Sequence, residues 1–271
     1  KSPWEIEKET GIPWLSVQCI VKQDLQLKTY KRVIGQKLNE NVKLKCLQCS
    51  WQLLERFPNE RSVRSIWFTD EKTFTIATPV NSQNDRFYSV ETKKSQVPER
   101  RLIRERDHFS RGIMVSVGVS RIGKTSVVFV EPGAKVNSRY YCEHVLGQGL
   151  LPAIQATCDR HNWTFQQDGA SSHTARNTIN FLHHENANFI EPDMWPPNSP
   201  DLNPVDYAIW GALQEKVYLR RKFTTVEQLK LAITEEWRNL GQRFIDRSIN
   251  EWRRRLEKVV EKQGGHIEHD F

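Results

Sequence analysis

From Val63 to the C-terminus, short β-rich apolar segments alternate with longer segments that have helical periodicity. Residues 112–119 and 125–130 are rich in Val and Ile and are separated by a turn that contains Gly123, which is typical of neighbouring strands. The apolar spacing of helices occurs at residues 140–156, 173–184, 205–219 and 225–262. This alternation predicts an α/β fold in which helices cover a sheet of mixed pairing.

The size of the chain allows one core domain and a small additional module. It has 271 residues, of which 38% are apolar, and this is enough to form a sizeable core and to exclude a wholly disordered chain. No run approaches about 18 consecutive apolar residues, so a membrane-spanning helix is excluded as well. The chain begins at Lys1 without a signal-peptide pattern, which indicates a fragment or a processed protein.

The net charge of the chain favours a polyanionic partner. Lys and Arg number 40 against 33 Asp and Glu, so the formal net charge is +7 and the pI is near 9.2. Nucleic acid is the first candidate partner for a basic protein of this size, although a merely soluble basic protein has the same balance. Five cysteines without regular spacing indicate reduced thiols in an intracellular compartment rather than a disulfide framework.

The N-terminal segment has the pattern of a helix-turn-helix. A helix-compatible run ends at Gly11, and Pro13 precedes a second run with an apolar face that includes Val17. In a DNA-binding helix-turn-helix the second helix enters the major groove, although any small helical hairpin has the same pattern. The candidate DNA contacts are polar or basic side chains on this helix and just after it: Ser16, Gln18, Lys22, Lys28, Lys31 and Arg32.

These patterns divide the chain into three parts. We expect a partial helix-turn-helix module at residues 1–35, a helical linker at 36–62 and an α/β core domain at 63–271. A polar loop inside the core domain carries a surplus of basic residues, which suits a phosphate backbone but also an ordinary solvated hairpin. Its candidate DNA contacts are Arg100, Arg101 and Arg104.

Three aspartates are the candidate catalytic residues. Asp70 and Asp168 each follow a short predicted strand, and Asp206 opens a helix after a Pro-rich loop. Active sites of open α/β sheets lie at strand ends, and converging carboxylates repel each other unless cations bind there. Oxygen ligands favour Mg²⁺ or Mn²⁺, and two such ions about 4 Å apart promote in-line attack at phosphorus. The alternative is that each aspartate is a helix cap or a surface charge.

The residues around these aspartates carry a family resemblance. Residues 67–74 (WFTDEKTF), 166–173 (QQDGASSH) and 199–207 (SPDLNPVDY) closely resemble, in this order, the three catalytic segments of mariner-type transposases. Residues 16–31 resemble the end of the second helix-turn-helix of that family, and the first would lie upstream of Lys1. The resemblance covers essentially the whole chain.

The resemblance implies an RNase H-like (retroviral-integrase-like) catalytic domain at residues 63–271, preceded by the small helix-turn-helix segment. It implies that Asp70, Asp168 and Asp206 form a DDD triad that binds two Mg²⁺ ions, with Mn²⁺ as a substitute. Thirty-seven residues separate Asp168 from Asp206, a few more than in the commonest mariner spacing. The chain therefore resembles a longer-spaced DDD lineage.

The activity implied by the resemblance is DNA transposition. Such an enzyme cleaves double-stranded DNA at terminal inverted repeats and transfers the freed strand into a TA dinucleotide of target DNA. The expected protein is a nuclear homodimer without membrane attachment or a nucleotide cofactor, although the short linker motif that helps typical mariner enzymes dimerise has no clear copy here. The alternative is a domesticated, transposase-derived DNA-binding protein without transposition activity. Another nuclease or integrase of the same fold is disfavoured by the helix-turn-helix.

Four polar residues near the triad have secondary interpretations. Gln167 and His173 flank the second acid and are auxiliary candidates, which would contact the scissile phosphate or orient a ligand. His173 equally fits a role in capping or packing at the start of its helix. Glu71 would point to the opposite face of its strand from Asp70, and Asp201 would shape the loop before Asp206 by an Asx-type turn.

Overall fold

The computed structural model describes residues 3–28, 38–79, 90, 93–102, 110–131, 133–134, 136–158, 163–185, 187–267 and 270–271. The chain forms two compact units, Lys1–Gln36 and Lys37–Phe271. Among the helices in the described ranges, none combines the length and the apolar character that crossing a lipid bilayer requires.

The small unit contains the two short helices that the sequence predicts. Helix α1 spans Pro3–Thr10 and helix α2 spans Trp14–Cys19, with a further turn of π-helix at Ile20–Asp24. Gly11 adopts a φ of +72° and its N–H donates to the carbonyl of Glu7, so the first helix ends in the left-handed conformation that glycine favours.

The large unit consists of short strands and longer helices. The strands are β1 (Ile66–Thr75), β2 (Gly112–Val119), β3 (Val128–Val130) and β4 (Thr164–Gln166). The helices before the fourth strand are α3 (Glu40–Arg56), α4 (Glu60–Val63), α5 (Glu99–Leu102), α6 (Ser138–Tyr140) and α7 (Leu151–Thr157), with π-helix at Tyr141–Leu150 between the last two. The later helices are α8 (Ser171–Thr174), α9 (Arg176–His184), α10 (Trp210–Tyr218), α11 (Val226–Asn239) and α12 (Gln242–Glu261). Single 3₁₀ turns at Lys94–Gln96 and Pro200–Leu202 and a π-helical turn at Val205–Ile209 complete the set.

The four strands form a mixed sheet in the order β3-β2-β1-β4. β1 pairs antiparallel with β2, where Asp70 faces Val117, and parallel with β4, where Phe68 faces Gln166. Phe189 adds a parallel bridge to Phe165 on the outer side of β4. The predicted mixed pairing is therefore found.

Helices cover both faces of the sheet. Since side chains alternate along a strand, Ile66, Phe68 and Phe74 pack on one face with α3 and with α10 to α12, including the fully buried Trp252. Trp67 packs on the other face with the helix that begins at Ser138. Helix α3, which we placed in a linker, contacts α12 and belongs to the large unit.

Two predicted element boundaries are wrong. The sequence predicts two separate β-rich segments at residues 65–70 and 73–76, but they form the single strand β1, because antiparallel pairing with β2 continues from Phe68 to Thr75. The predicted helix 225–262 is two helices that meet at Leu240 and Gly241. The Lys124 ammonium donates to the carbonyls of Trp237, Arg238 and Leu240 at 2.5, 3.0 and 2.6 Å, so a cation caps the first helix where its carbonyls lack helical partners.

Candidate functional site

The parallel pairing of β1 and β4 brings the first two aspartates to the same edge. Asp70 comes two residues after Phe68, and Asp168 comes two residues after Gln166, the residue that pairs with Phe68. Asp70 lies within β1 rather than at its end, because β1 continues along β2 after the pairing with β4 stops. Asp70 and Asp168 therefore lie side by side, each two residues beyond the last paired residues of β1 and β4.

Asn203 fastens the Pro-rich loop to β1 and so fixes the start of the helix that carries Asp206. Its buried side-chain amide donates to the carbonyl of Thr69 at 2.9 Å, and its Oδ1 accepts from the backbone N–H of Val205 at 3.0 Å. Asn203 thereby makes an Asx-type turn that we did not predict, while the turn expected at Asp201 stays a prediction. The Asn-Pro pair before a helix was the sequence signal that would have pointed to Asn203.

Asp70 and Asp206 face each other, and both are half-buried. Burial and the charge of Asp206 raise the pKa of Asp70 to about 8, against the hydrogen bond that the indole Nε1 of Trp210 donates to its Oδ2 at 2.5 Å. Burial also raises the pKa of Asp206 to about 6; a hydrogen bond with Asp70 opposes the shift, and the charge of Asp168 adds to it. The structure therefore brings two of the predicted acids into contact and the third into electrostatic range.

Asp168 is bound to His173. Its Oδ1 accepts from His173 Nδ1 at 2.5 Å and from the backbone N–H of Ala170 at 3.0 Å. Burial opposes ionisation of Asp168, but the hydrogen bond and the charge of His173 outweigh it and lower the pKa of the carboxyl. Burial disfavours the imidazolium, yet the hydrogen bonds with Asp168 and Glu71 raise the pKa of His173 to about 10. His173 is thus a buried cation between two carboxylates.

Gln167 and Glu71 complete the surroundings of His173. Glu71 Oε2 lies 3.2 Å from His173 Nε2, and Gln167 Nε2 donates to the carbonyl of His173 at 3.1 Å while its Oε1 accepts from the Tyr141 hydroxyl at 3.0 Å. Glu71 points away from the face of Asp70, as expected, since it bonds Ser116 of β2 on the other face. The sequence did not predict its contact with His173.

The donor set of this site fits a hard divalent cation. Asp70, Asp168 and Asp206 offer only carboxylate oxygens, which Mg²⁺ and Mn²⁺ prefer. The raised pKa values of Asp70 and Asp206 reflect burial first and then the charges of neighbouring acids, which a cation would relieve. Within the described residues, no three or more His, Cys, Asp or Glu side chains are arranged to hold an ion. Asp70 and Asp206 are instead joined to each other, and Asp168 is joined to His173.

We predict that Asp70 makes the metal-free protein less stable as the pH rises. Burial raises the pKa of Asp70 from 3.8 to about 8. The contribution of the neutral Asp70 carboxyl to the stability of the folded protein is therefore complete below about pH 4 and is lost as the pH rises through about 8. In chelator at pH 9, the free energy of unfolding of Asp70→Asn, measured with urea, should therefore exceed that of the parent by about 1 kcal/mol or more. Mg²⁺ should stabilise the parent more than the variant. Equal pH slopes for the two proteins would contradict this assignment.

The predicted DNA contacts lie in several parts of the chain. In the small unit Ser16, Lys22 and Lys28 are exposed and Gln18 is half-buried. Lys31, Arg32 and Arg104 lie outside the described residues, as do the side chains of Arg100 and Arg101 in helix α5. The structure thus leaves these contacts as predictions.

Known proteins similar to this chain are transposases. Residues 133–230 match a family model described as DDE superfamily endonuclease. The Tc3 transposase of Caenorhabditis elegans is 29% identical over 202 residues, which cover 74% of this chain and 56% of that protein. The Tcb1 transposase of Caenorhabditis briggsae is 27% identical over 126 residues, or 46% of this chain and 44% of that protein. The chain therefore spans about half the length of these curated relatives.

Solved structures confirm the fold. The Mos1 transposase in a paired-end complex with the left transposon end covers 99% of this chain and 76% of its own, with a TM-score of 0.82 and 21% identity. The catalytic domain of Mos1 mariner transposase covers 87% of this chain and all of its own, with a TM-score of 0.66 and 21% identity. The fold is RNase H-like, with a mixed sheet flanked by helices and preceded by a helical N-terminal region. In sequence this chain is thus similar to the transposases of transposable elements, and it has the fold of the Mos1 mariner transposase.

Proposed function

We propose that this chain is the catalytic part of a DNA transposase that cleaves double-stranded DNA at terminal inverted repeats and transfers the freed strand into target DNA. The observation that carries the proposal is the meeting of Asp70 and Asp206 beside Asp168, on a fold shared with Mos1. The relatives are named as transposases of transposable elements. A TA target dinucleotide and a DDD lineage with 37 intervening residues are the finer parts of the proposal.

Asp70, Asp168 and Asp206 are the proposed catalytic and metal-binding residues. Mg²⁺, or Mn²⁺ in its place, would supply activation of the attacking hydroxyl and stabilisation of the leaving oxygen; Mos1 complexes with Mg and with Mn have been solved. The chain supplies position: Trp210 donates to Asp70, His173 holds Asp168, and Asn203 sets the helix of Asp206. None of these steps needs a covalent protein–DNA bond.

The proposed partners are DNA and a second copy of the protein. Mos1 has been solved in paired-end complexes with transposon ends, and the net charge of +7 suits such a partner. We propose that residues 1–35 belong to a helix-turn-helix that contacts the repeat DNA, and that the basic segment containing Arg100, Arg101 and Arg104 contacts the phosphate backbone. We also propose a nuclear location, where a chromosomal DNA substrate would lie.

Metal-dependent nicking tests the proposal. The protein should nick a duplex carrying its repeat end in Mg²⁺ or Mn²⁺ but not in chelator, and Asp168→Asn should abolish nicking while keeping DNA binding. A domesticated DNA-binding protein, which the similarity to transposases does not favour, would bind the duplex without nicking it. Equal nicking by Asp168→Asn and by the parent would refute the assignment.

A further inference from the structure

Asp168 is held by one of its two carboxylate oxygens. The bonds from His173 Nδ1 and from the backbone N–H of Ala170 both end on Oδ1. The rotation of the carboxylate is therefore fixed by its Oδ1, and neither of these bonds involves Oδ2. The orientation of Asp168 thus depends on where His173 is held.

His173 is held from three sides. Its ring lies against Tyr141 with centroids 4.2 Å apart, its backbone carbonyl accepts from Gln167, and its Nε2 lies 3.2 Å from Glu71 Oε2. The imidazole is 6% exposed and the Glu71 side chain 12%. The ring contact and the backbone bond locate His173, and the contact of Nε2 with Glu71 restrains the rotation of the imidazole at the nitrogen that Asp168 does not contact.

Glu71 is itself anchored to the neighbouring strand. Its Oε1 accepts from the Ser116 hydroxyl at 2.7 Å, and Glu71 and Ser116 are register partners in the β1–β2 ladder. Since Glu71 directly follows Asp70 in β1, two neighbouring residues reach the site from opposite faces of the sheet. Asp70 does so directly, and Glu71 does so through His173.

We propose that Glu71 is a positioning residue, which orients His173 and through it turns Asp168 toward the shared metal site. The inference rests on the proposed function, because the metal site is part of that function. The proposal adds a condition to the three aspartates themselves. Asp168 must be connected to strand β2 by successive contacts from Ser116 to Glu71, from Glu71 to His173 and from His173 to Asp168. Partners of this kind beyond the metal ligands typically change metal affinity 10- to 100-fold when they are lost.

The rival interpretation is that Glu71 only balances the charge of a buried imidazolium. Two substitutions separate the possibilities. Glu71→Gln keeps the length of the side chain and an oxygen that accepts from His173, but removes the charge. Glu71→Asp keeps the charge but shortens the side chain by one carbon, so it cannot span both Ser116 and His173. The matched controls are Glu143→Gln and Glu143→Asp, at an exposed glutamate paired with Arg139 on the surface of a helix.

The experiment measures Mn²⁺ affinity of the folded chain by calorimetric titration, together with thermal unfolding in chelator. We expect Glu71→Gln to weaken Mn²⁺ binding about threefold, Glu71→Asp to weaken it about tenfold or more, and the Glu143 variants to bind as the parent does. If Glu71→Asp does not fold, Ser116→Ala takes its place, since it removes one hydroxyl and should weaken binding about threefold.

Each remaining result overturns the proposal. If Glu71→Gln loses more Mn²⁺ affinity than Glu71→Asp, charge rather than position is the role of Glu71. If neither Glu71→Asp nor Ser116→Ala changes the affinity, Asp168 does not need this support. If the parent binds no Mn²⁺ at all, the proposed function itself fails, and this outcome is distinct because it appears before any variant is compared.

Discussion

Replacing Asp206 with Asn should lower the rate of metal-dependent DNA nicking about a thousandfold or more, since a charged residue of the proposed metal site is replaced by a neutral amide. Asp206 is half-buried beside Asp70, and its pKa is raised to about 6 by burial and by the neighbouring acids. DNA affinity should change little, because the substitution alters one half-buried side chain in the helical turn at Val205–Ile209. Nicking is measured on a labelled repeat-end duplex, and binding is measured by fluorescence anisotropy.

Asp201→Asn is the matched control for this prediction. Asp201 lies in the same loop, in the 3₁₀ turn at Pro200–Leu202, and it is the acid that competes with Asp206 for the third place in the triad. Its backbone carbonyl, which the substitution leaves in place, accepts from Arg255. Nicking by Asp201→Asn should stay within about threefold of the parent rate. A larger loss in Asp201→Asn than in Asp206→Asn would reverse the assignment.

Replacing Trp252 with Ala should reduce the free energy of unfolding by about 3–5 kcal/mol. Trp252 of α12 is fully buried, and its ring makes edge contacts with Phe57 and with Phe68 of β1, with centroids 5.8 and 5.3 Å apart. The truncation would leave a cavity beneath the strand that carries Asp70. The free energy is measured by urea unfolding followed by circular dichroism.

Trp51→Ala provides the comparison for the stability prediction. Trp51 of α3 has the same side chain but is 58% exposed, so its truncation removes little buried surface and should cost less than about 1 kcal/mol. The difference between the losses of unfolding free energy in the two variants measures the effect of burial, since both variants replace a tryptophan with alanine. Equal losses of stability would contradict the packing of α12 on β1.

The local patterns of the sequence predicted much of the fold. The apolar run at residues 112–119 became β2 with the same bounds, because a buried strand between turns needs little information from elsewhere. The break at Gly241 was missed, because Lys124, more than a hundred residues away in sequence, caps the carbonyls at that point. No pattern inside α11 and α12 contains that contact.

In the candidate site, too, local sequence patterns were predicted and contacts between residues distant in sequence were missed. The three aspartates were found from the residues around them, and the structure brings Asp70 and Asp206 together with Asp168 in electrostatic range. The link from Glu71 to His173 was not predicted, because it joins residues of β1 and α8 across the sheet. Asn203 was missed for the same reason, since its partner Thr69 lies on a distant strand.

The central claim is that Asp70, Asp168 and Asp206 bind shared divalent ions. The most direct measurement is anomalous scattering from crystals of the protein soaked in Mn²⁺. The account predicts Mn²⁺ peaks that are coordinated by oxygens of all three side chains, with Asp70 and Asp206 no longer hydrogen-bonded to each other. Mn²⁺ peaks elsewhere, with these carboxylates still joined as Asp70–Asp206 and Asp168–His173, would contradict it.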